Sequence, residues 1–251
     1  MKVGIVGYGF VGKALKNGMD NSVSVLNIDP KLNTSIKDLV PFQPNIIFIC
    51  VPTPLCEDLS LDASIVHSVI NEILDYNIES LIVLKSTILP NHLEKISLKV
   101  KRFVYNPEFL REKHANEDFL NSNLIVFGGE QENIIEIKDF YIERTKCNCK
   151  SYVETDLVTA SLIKYTINSY LATKVSFFNE LKKIFVRANA NDSWDNFISY
   201  LQKDSRLGDS HMSVPGHDGK KGFGGACLPK DSIALLNFFR ENSLDFKVLK
   251  S

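Results

Sequence analysis

Lys2-Val3-Gly4-Ile5-Val6-Gly7-Tyr8-Gly9-Phe10-Val11-Gly12 stands at the head of the chain, and its reading decides the fold. Residues 2–6 form a short apolar run, as a buried strand requires. Gly7, Gly9 and Gly12 then give a G-x-G-x-x-G turn, and residues 11–19 carry helical spacing. Strand, glycine turn and helix in that order have a mechanism. The glycines allow a tight turn and let the backbone approach a pyrophosphate, which meets the helix N-terminus. A second strand over residues 22–28 leads to Asp29, at the spacing where a carboxylate can bind both hydroxyls of an adenosine ribose and repel a 2′-phosphate. NAD is therefore the expected cofactor.

The same alternation continues outward. Residues 45–51 (NIIFICV), 80–84, 103–105 and 123–127 read as strands, the last ended by Gly128-Gly129. Residues 62–76, 90–98 and 133–143 read as helices. Near-continuous apolar strands between amphipathic helices predict an α/β fold with a doubly wound parallel sheet. From residue 154 to about 189 there is one helical pattern without Gly or Pro. A helix of that length must bridge domains or pair with a second subunit. A shorter helix over 194–202 follows, with Ser193 as its N-cap, then a glycine-rich loop over 207–225 and a last helix over 231–241. The expected division is a dinucleotide-binding domain over 1–153 and a helical domain over 154–251.

Composition narrows the class. The 251 residues are 44% hydrophobic and 24% charged, with 29 basic and 30 acidic side chains. Those values exclude a disordered or collagen-like chain, and the balance of charge points to no nucleic-acid partner. No apolar run is long enough to span a bilayer, and the N-terminus lacks the pattern of a signal peptide, so no membrane partner is expected. Five thinly spread cysteines, Cys50, Cys56, Cys147, Cys149 and Cys227, fit a reducing compartment and a cytoplasmic protein. The five histidines show no metal-ligand spacing, and no metal is expected.

Polar clusters close three successive strands: Cys50-Val51-Pro52-Thr53-Pro54, Lys85-Ser86-Thr87 and Asn106-Pro107-Glu108-Phe109-Leu110-Arg111-Glu112. Ligands bind at the carboxyl ends of such strands. Lys164 and Asn168 share one face of the long helix, among apolar neighbours, and need polar partners or a substrate. In Gly222-Phe223-Gly224-Gly225-Ala226-Cys227-Leu228-Pro229-Lys230-Asp231 the cysteine precedes a helix start beside a lysine. A thiol so placed is expected to have a lowered pKa and to be a competent nucleophile.

Taken in order, GYGFVG, Asp29, CVPTP, KSTILP, NPEFLRE, LIKYTINSYLATKVSFFNEL and SRLGDSHMSVPGHDGKKGFGGACLPKD resemble the UDP-glucose/GDP-mannose dehydrogenase family over essentially the whole chain. The lysine and aspartate after the cysteine look closer to its UDP-glucose 6-dehydrogenase branch. The resemblance implies a Rossmann-like domain, a long central helix with a helical dimerisation segment, and a homodimer built on that helix. It implies oxidation of a nucleotide sugar at C6 to the carboxylate with two NAD consumed. Cys227 would form a thiohemiacetal and then a thioester. Asp231 and Thr87 would order a water, Lys164 and Asn168 would stabilise the oxygen at C6, and Glu108 would act at hydrolysis. Gly7, Gly9, Phe10, Val11, Gly12, Asp29, Thr53 and Thr87 would hold the cofactor, with Glu112 and Lys230 near the nicotinamide. Glu108, Phe109, Leu110, Arg111, Lys164, Asn168, Gly224 and the loop over 216–220 would line the sugar pocket, and Arg206 would reach the neighbouring subunit's substrate. GDP-mannose 6-dehydrogenase and an inactive cofactor-binding remnant are the alternatives. Family members continue for about another domain past the last helix, so a C-terminal UDP-binding domain is expected to be absent.

Overall fold

The structure, a computed structural model, describes every residue except His217, Asp218, Ala226 and Ser251. Two positions of the expected 216–220 sugar loop therefore lie outside the described residues. The chain forms two compact units, Met1–Lys164 and Tyr165–Ser251.

The first unit is built on a seven-stranded sheet. Its strands are β1 (Lys2–Val6), β2 (Ser24–Ile28), β3 (Ile46–Ile49), β4 (Leu81–Leu84), β5 (Phe103–Tyr105), β6 (Ile125–Gly129) and β7 (Tyr152–Thr155), in the order β2-β1-β3-β4-β5-β6-β7. The helices are α1 (Phe10–Gly18), α2 (Leu39–Phe42), α3 (Ser64–Asp75), α4 (Pro90–Ser97), α5 (Ala115–Leu120) and α6 (Gln131–Arg144). Alternate residues of each strand serve opposite faces. Val3, Ile5, Ile46, Phe48, Leu81 and Val83 join Leu15 of α1, Phe119 of α5 and Ile137 and Phe140 of α6 in one core. Gly4 faces the other way, where an added Cβ would come within 2.9 Å of Leu39. Strand order reverses at β1, between β2 and β3, so the glycine turn and the CVPTP segment border the crevice where such sheets bind ligands.

Two expectations need correction. The sheet is not wholly parallel: β6 pairs antiparallel with β5, matching Val104 to Gly129 and Tyr105 to Gly128, and β7 then pairs parallel with β6. Residues 106–124 begin and end at the same end of the sheet and make no crossover, so β6 has to run back. Gly128 and Gly129 accordingly belong to β6 rather than ending it. The long helix also starts later than residue 154. Residues Tyr152–Thr155 pair with β6, and Asp156 caps the helix, accepting from Thr159 N at 2.9 Å and from its hydroxyl at 2.6 Å.

That helix, α7 (Leu157–Arg187), runs unbroken from the first unit into the second. The second unit adds α8 (Trp194–Leu201), α9 (Leu228–Glu241) and α10 (Lys247–Lys250). Ser193 caps α8, its hydroxyl accepting from Asn196 N at 3.0 Å. Phe178, Trp194, Ile198, Met212 and Val214 form a small core of their own. No helix among the described residues is long and apolar enough to cross a membrane.

Gly128 fixes how closely β6 approaches the start of α7. A Cβ there would lie 2.6 Å from the Cβ of Ala160 and 2.8 Å from Asp156 O. Gly128→Ala is expected to lower unfolding free energy by about 1–3 kcal/mol in chemical denaturation, the usual cost of overpacking. A loss below about 0.5 kcal/mol would show that the two elements separate freely.

Candidate functional site

The nucleotide end of the site is a backbone cradle. Gly7 has φ +90°, and a Cβ on it would lie 2.7 Å from the carbonyl carbon and oxygen of Cys50. A Cβ on Gly12 would lie 2.4 Å from Gly7 O, whereas one on Gly9 would meet nothing within 4 Å. The first and third glycines are thus required by packing, and the second leaves open space. No side chain caps the N-terminus of α1, where Phe10 and Val11 form the first turn. Asp29 ends β2. Its carboxylate accepts from Lys31 N at 2.9 Å and from Tyr8 N at 2.8 Å, and these two backbone bonds hold it below the usual carboxylate range. An open helix N-terminus beside an ionised carboxylate fits the pyrophosphate and ribose of NAD.

The ends of β3 and β4 are tied to each other. The Thr53 hydroxyl donates to Thr87 O at 2.8 Å, and the Ser86 hydroxyl donates to Val51 O at 2.6 Å. These bonds fix the backbone that presents Thr87, which is half-buried.

After β5, the Glu108 segment is gripped by a lysine of α7. Lys164 is buried, and its Nζ donates to Glu108 O at 2.5 Å. Glu108 Oε1 lies 3.6 Å from the same ammonium, and the Phe109 ring centroid lies 5.2 Å from it. Glu108 Oε2 accepts from Leu110 N at 2.6 Å. A buried cation is tolerated because a buried anion faces it. The expected roles of Arg111 and Glu112 find no such placement. Arg111 forms a two-pronged pair with Asp118, at 3.0 and 2.6 Å, and Glu112 is exposed.

In the second unit, Asp231 is fully buried in the first turn of α9. Its Oδ2 accepts from Asn168 Nδ2 and its Oδ1 from Lys230 Nζ, each at 2.6 Å. Its backbone N–H donates to Cys227 O at 2.9 Å, so Cys227 is the N-cap residue of α9. Lys230, expected near the nicotinamide, thus pairs with Asp231. Arg206 is exposed and forks onto Asp204, with Nε 2.9 Å from Oδ1.

One buried cluster escaped the sequence reading as a unit. Lys85 Nζ donates to Asn106 Oδ1 at 2.9 Å and lies 3.3 Å from both Asn106 O and the Tyr141 hydroxyl. Tyr141 donates to Asn106 Oδ1 at 2.7 Å, and Asn106 Nδ2 donates to Val126 O at 2.9 Å. Burial pushes the Lys85 ammonium below its ordinary range, against the pull of the Glu108 carboxylate. The sequence reading placed Lys85 and Asn106 at two strand ends, and nothing in it marked Tyr141 of α6 as the residue that joins them.

None of the five cysteines is in a disulfide among the described residues. Burial pushes Cys50 up to about 12 and raises Cys147 as well, and Cys149 is buried. Cys50 and Cys147 are thereby poorly suited to nucleophilic work at neutral pH.

A glycine-rich turn at the switch point of the sheet, with an ionised carboxylate closing the second strand, defines the first unit as a dinucleotide-binding domain. Residues 30–143 match the NAD binding domain of the UDP-glucose/GDP-mannose dehydrogenase family, and residues 158–251 match its central domain. The chain belongs to that family. It is 40% identical over 215 residues to the UDP-glucose 6-dehydrogenase of Rickettsia bellii, covering 82% of this chain and 47% of that one. A UDP-glucose dehydrogenase structure from Pyrobaculum islandicum superposes with a TM-score of 0.79 at 24% identity, covering 99% of this chain and 66% of that one. The GDP-mannose dehydrogenase of Pseudomonas aeruginosa gives 0.70 at 25% identity, covering 100% and 67%. The chain spans about half the length of the curated relatives it matches.

A thiol at about 12 carries roughly one thiolate in ten thousand at pH 8, against about one in ten for a thiol at 9.0. Native alkylation at pH 8, read by peptide mass spectrometry, is expected to leave Cys50 unmodified. Labelling of Cys50 at the rate of a free thiol would contradict its burial.

Proposed function

We propose that the chain oxidises UDP-glucose at C6 to UDP-glucuronate, using NAD twice. The observation that carries this reading is the buried Asp231 carboxylate, held by Asn168 and Lys230 one helical turn after Cys227. NAD, when bound, supplies the hydride acceptor for both oxidations. Gly7, Gly9 and Gly12 with the first turn of α1 hold its pyrophosphate, and Asp29 holds its ribose. Asp231 and Thr87 order the water that takes the proton of the C6 alcohol. Cys227 Sγ then adds to the aldehyde carbon, and its proton passes to the oxygen, giving a thiohemiacetal. The second oxidation gives a thioester, and water breaks its C–S bond to return the thiol and release the carboxylate. Lys164 and Asn168, one turn apart on α7, supply N–H donors of the kind that stabilise an oxygen gaining negative charge. Glu108 acts on the attacking water, and Thr87 orders water at the end of β4. Free thiols support a reducing, cytoplasmic setting.

The protein is further proposed to act as a homodimer through α7. Tyr170, Phe177 and Ile184 recur every seventh residue and are 60%, 60% and 65% exposed. A large apolar stripe of that kind suits a second copy of the same helix. Phe177→Glu combined with Ile184→Glu is expected to halve the mass seen in sedimentation. An unaltered protein that sediments as a monomer would end this proposal.

Mixing the protein with NAD and UDP-glucose is expected to raise NADH absorbance, and Cys227→Ser is expected to yield no acid. Turnover of GDP-mannose instead would assign the other sugar. NAD binding with no NADH from any nucleotide sugar would leave only a cofactor-binding module. Full conversion to the acid by Cys227→Ser would remove Cys227 from its role.

A further inference from the structure

Three side chains of α7 grip the loop that leads to Cys227. Lys174 Nζ donates to Leu207 O at 2.8 Å, Lys182 Nζ donates to Val214 O at 2.5 Å, and Asn179 Oδ1 accepts from Gly222 N at 2.9 Å. They are spread over little more than two turns of the helix. Each tie ends on main chain, so it constrains the path of the loop whatever its side chains do. The two lysines make charge-assisted bonds to carbonyls, the stronger kind. Burial lowers Lys174 from its ordinary range, and Lys182 also lies over the Trp194 ring, 5.5 Å from its centroid.

Asn179 holds the tie nearest to Cys227. Its Nδ2 donates to Val175 O at 2.8 Å, which fixes the amide so that its oxygen faces Gly222. Gly222 has φ +83°, with nothing within 4 Å of where a Cβ would be. No packing enforces this left-handed turn, so the Asn179 bond is a direct constraint on it. Upstream, Met212 and Val214 are buried in the second core, and Gln202 Nε2 donates to Asp209 O at 2.9 Å. From Gly222 the chain has only five residues in which to reach Cys227.

We propose that Asn179 is a positioning residue for Cys227, fixing at Gly222 the direction in which the loop enters α9, with Lys174 and Lys182 as its upstream ties. The proposal rests on Cys227 being the nucleophile of the oxidation proposed above. Three variants of the 251-residue chain test it. Asn179→Leu removes the acceptor at similar size, Asn179→Asp keeps an acceptor oxygen, and Lys182→Met removes a neighbouring tie. In Asn179→Leu, amide exchange over residues 219–225 is expected to quicken about tenfold, the scale of one lost hydrogen bond. Iodoacetamide labelling of Cys227 should change by at least about threefold. With UDP-glucose, kcat should fall about ten- to a hundredfold while NAD affinity holds. Asn179→Asp, which keeps the acceptor for Gly222 N but loses the Nδ2 bond to Val175 O, should restore part of each, which loss of packing alone would not allow. Lys182→Met should quicken exchange around residue 214 and serves if Asn179→Leu does not fold. Wild-type exchange and labelling in Asn179→Leu, or an Asn179→Asp variant as impaired as the leucine, would overturn the proposal. If the unaltered chain turns over no nucleotide sugar, the oxidation reading fails, while exchange and labelling still decide the role of Asn179.

Discussion

Asp231 carries its carboxylate with no exposure to water, and an anion so placed persists only if its partners replace the lost hydration. Both oxygens are matched, one by a neutral amide from α7 and one by an ammonium from its own helix. The opposite sign is handled the same way at Lys164, whose ammonium has a main-chain carbonyl, a carboxylate and an aromatic face around it. These requirements dictate much else. They fix Asn168 and Lys230 to Asp231, hold the Glu108 segment against α7, and leave little freedom in how α9 begins. Lys85 is the exception, since its bonded partners are neutral oxygens. It stays buried at the cost of a depressed affinity for its proton.

The long helix meets these demands with different stretches of its surface. Near its start, Ala160 packs against Gly128, and the Ser161 hydroxyl donates to Ile88 O at 2.8 Å. Lys164 closes the first unit, and Asn168 lies one turn on in the second. Further along, Phe178 joins the second core, while polar residues between its apolar positions reach loop backbone. A helix with so many partners carries apolar side chains on more than one face, Phe178 buried and Phe177 exposed.

Much of this was legible in the residues. The strand, glycine turn and helix at the N-terminus are local patterns, and all three stand where their spacing put them. The strand at 152–155 was not, because it is short, has Glu154 within it, and runs directly into the capping Asp156. The reversal of β6 was invisible too, since direction depends on where a connecting loop ends. Cys227 and Asp231 lie close in sequence, and their closeness in structure followed from helix geometry. Arg111 and Arg206 were harder. Each is paired with an acid a few residues away, Asp118 and Asp204, and a resemblance to a family speaks of bound states rather than of local partners. The Lys85–Asn106–Tyr141 cluster joins three separate elements, so only the folded chain could show it.

The placing of Cys50 and Cys147, half-buried against the main core, and of Cys149, buried within it, has a consequence for oxidative chemistry. Peroxides and disulfides react with thiolates they can reach. Cys50 and Cys147, whose thiols burial keeps protonated, and the buried Cys149 are therefore slow to react with either. The half-buried Cys227 and the exposed Cys56 remain within reach of an oxidant. With Cys227 as the nucleophile proposed above, its oxidation to a sulfenic acid or disulfide would silence the chemistry while leaving the sheet intact, and a reductant would restore it without refolding.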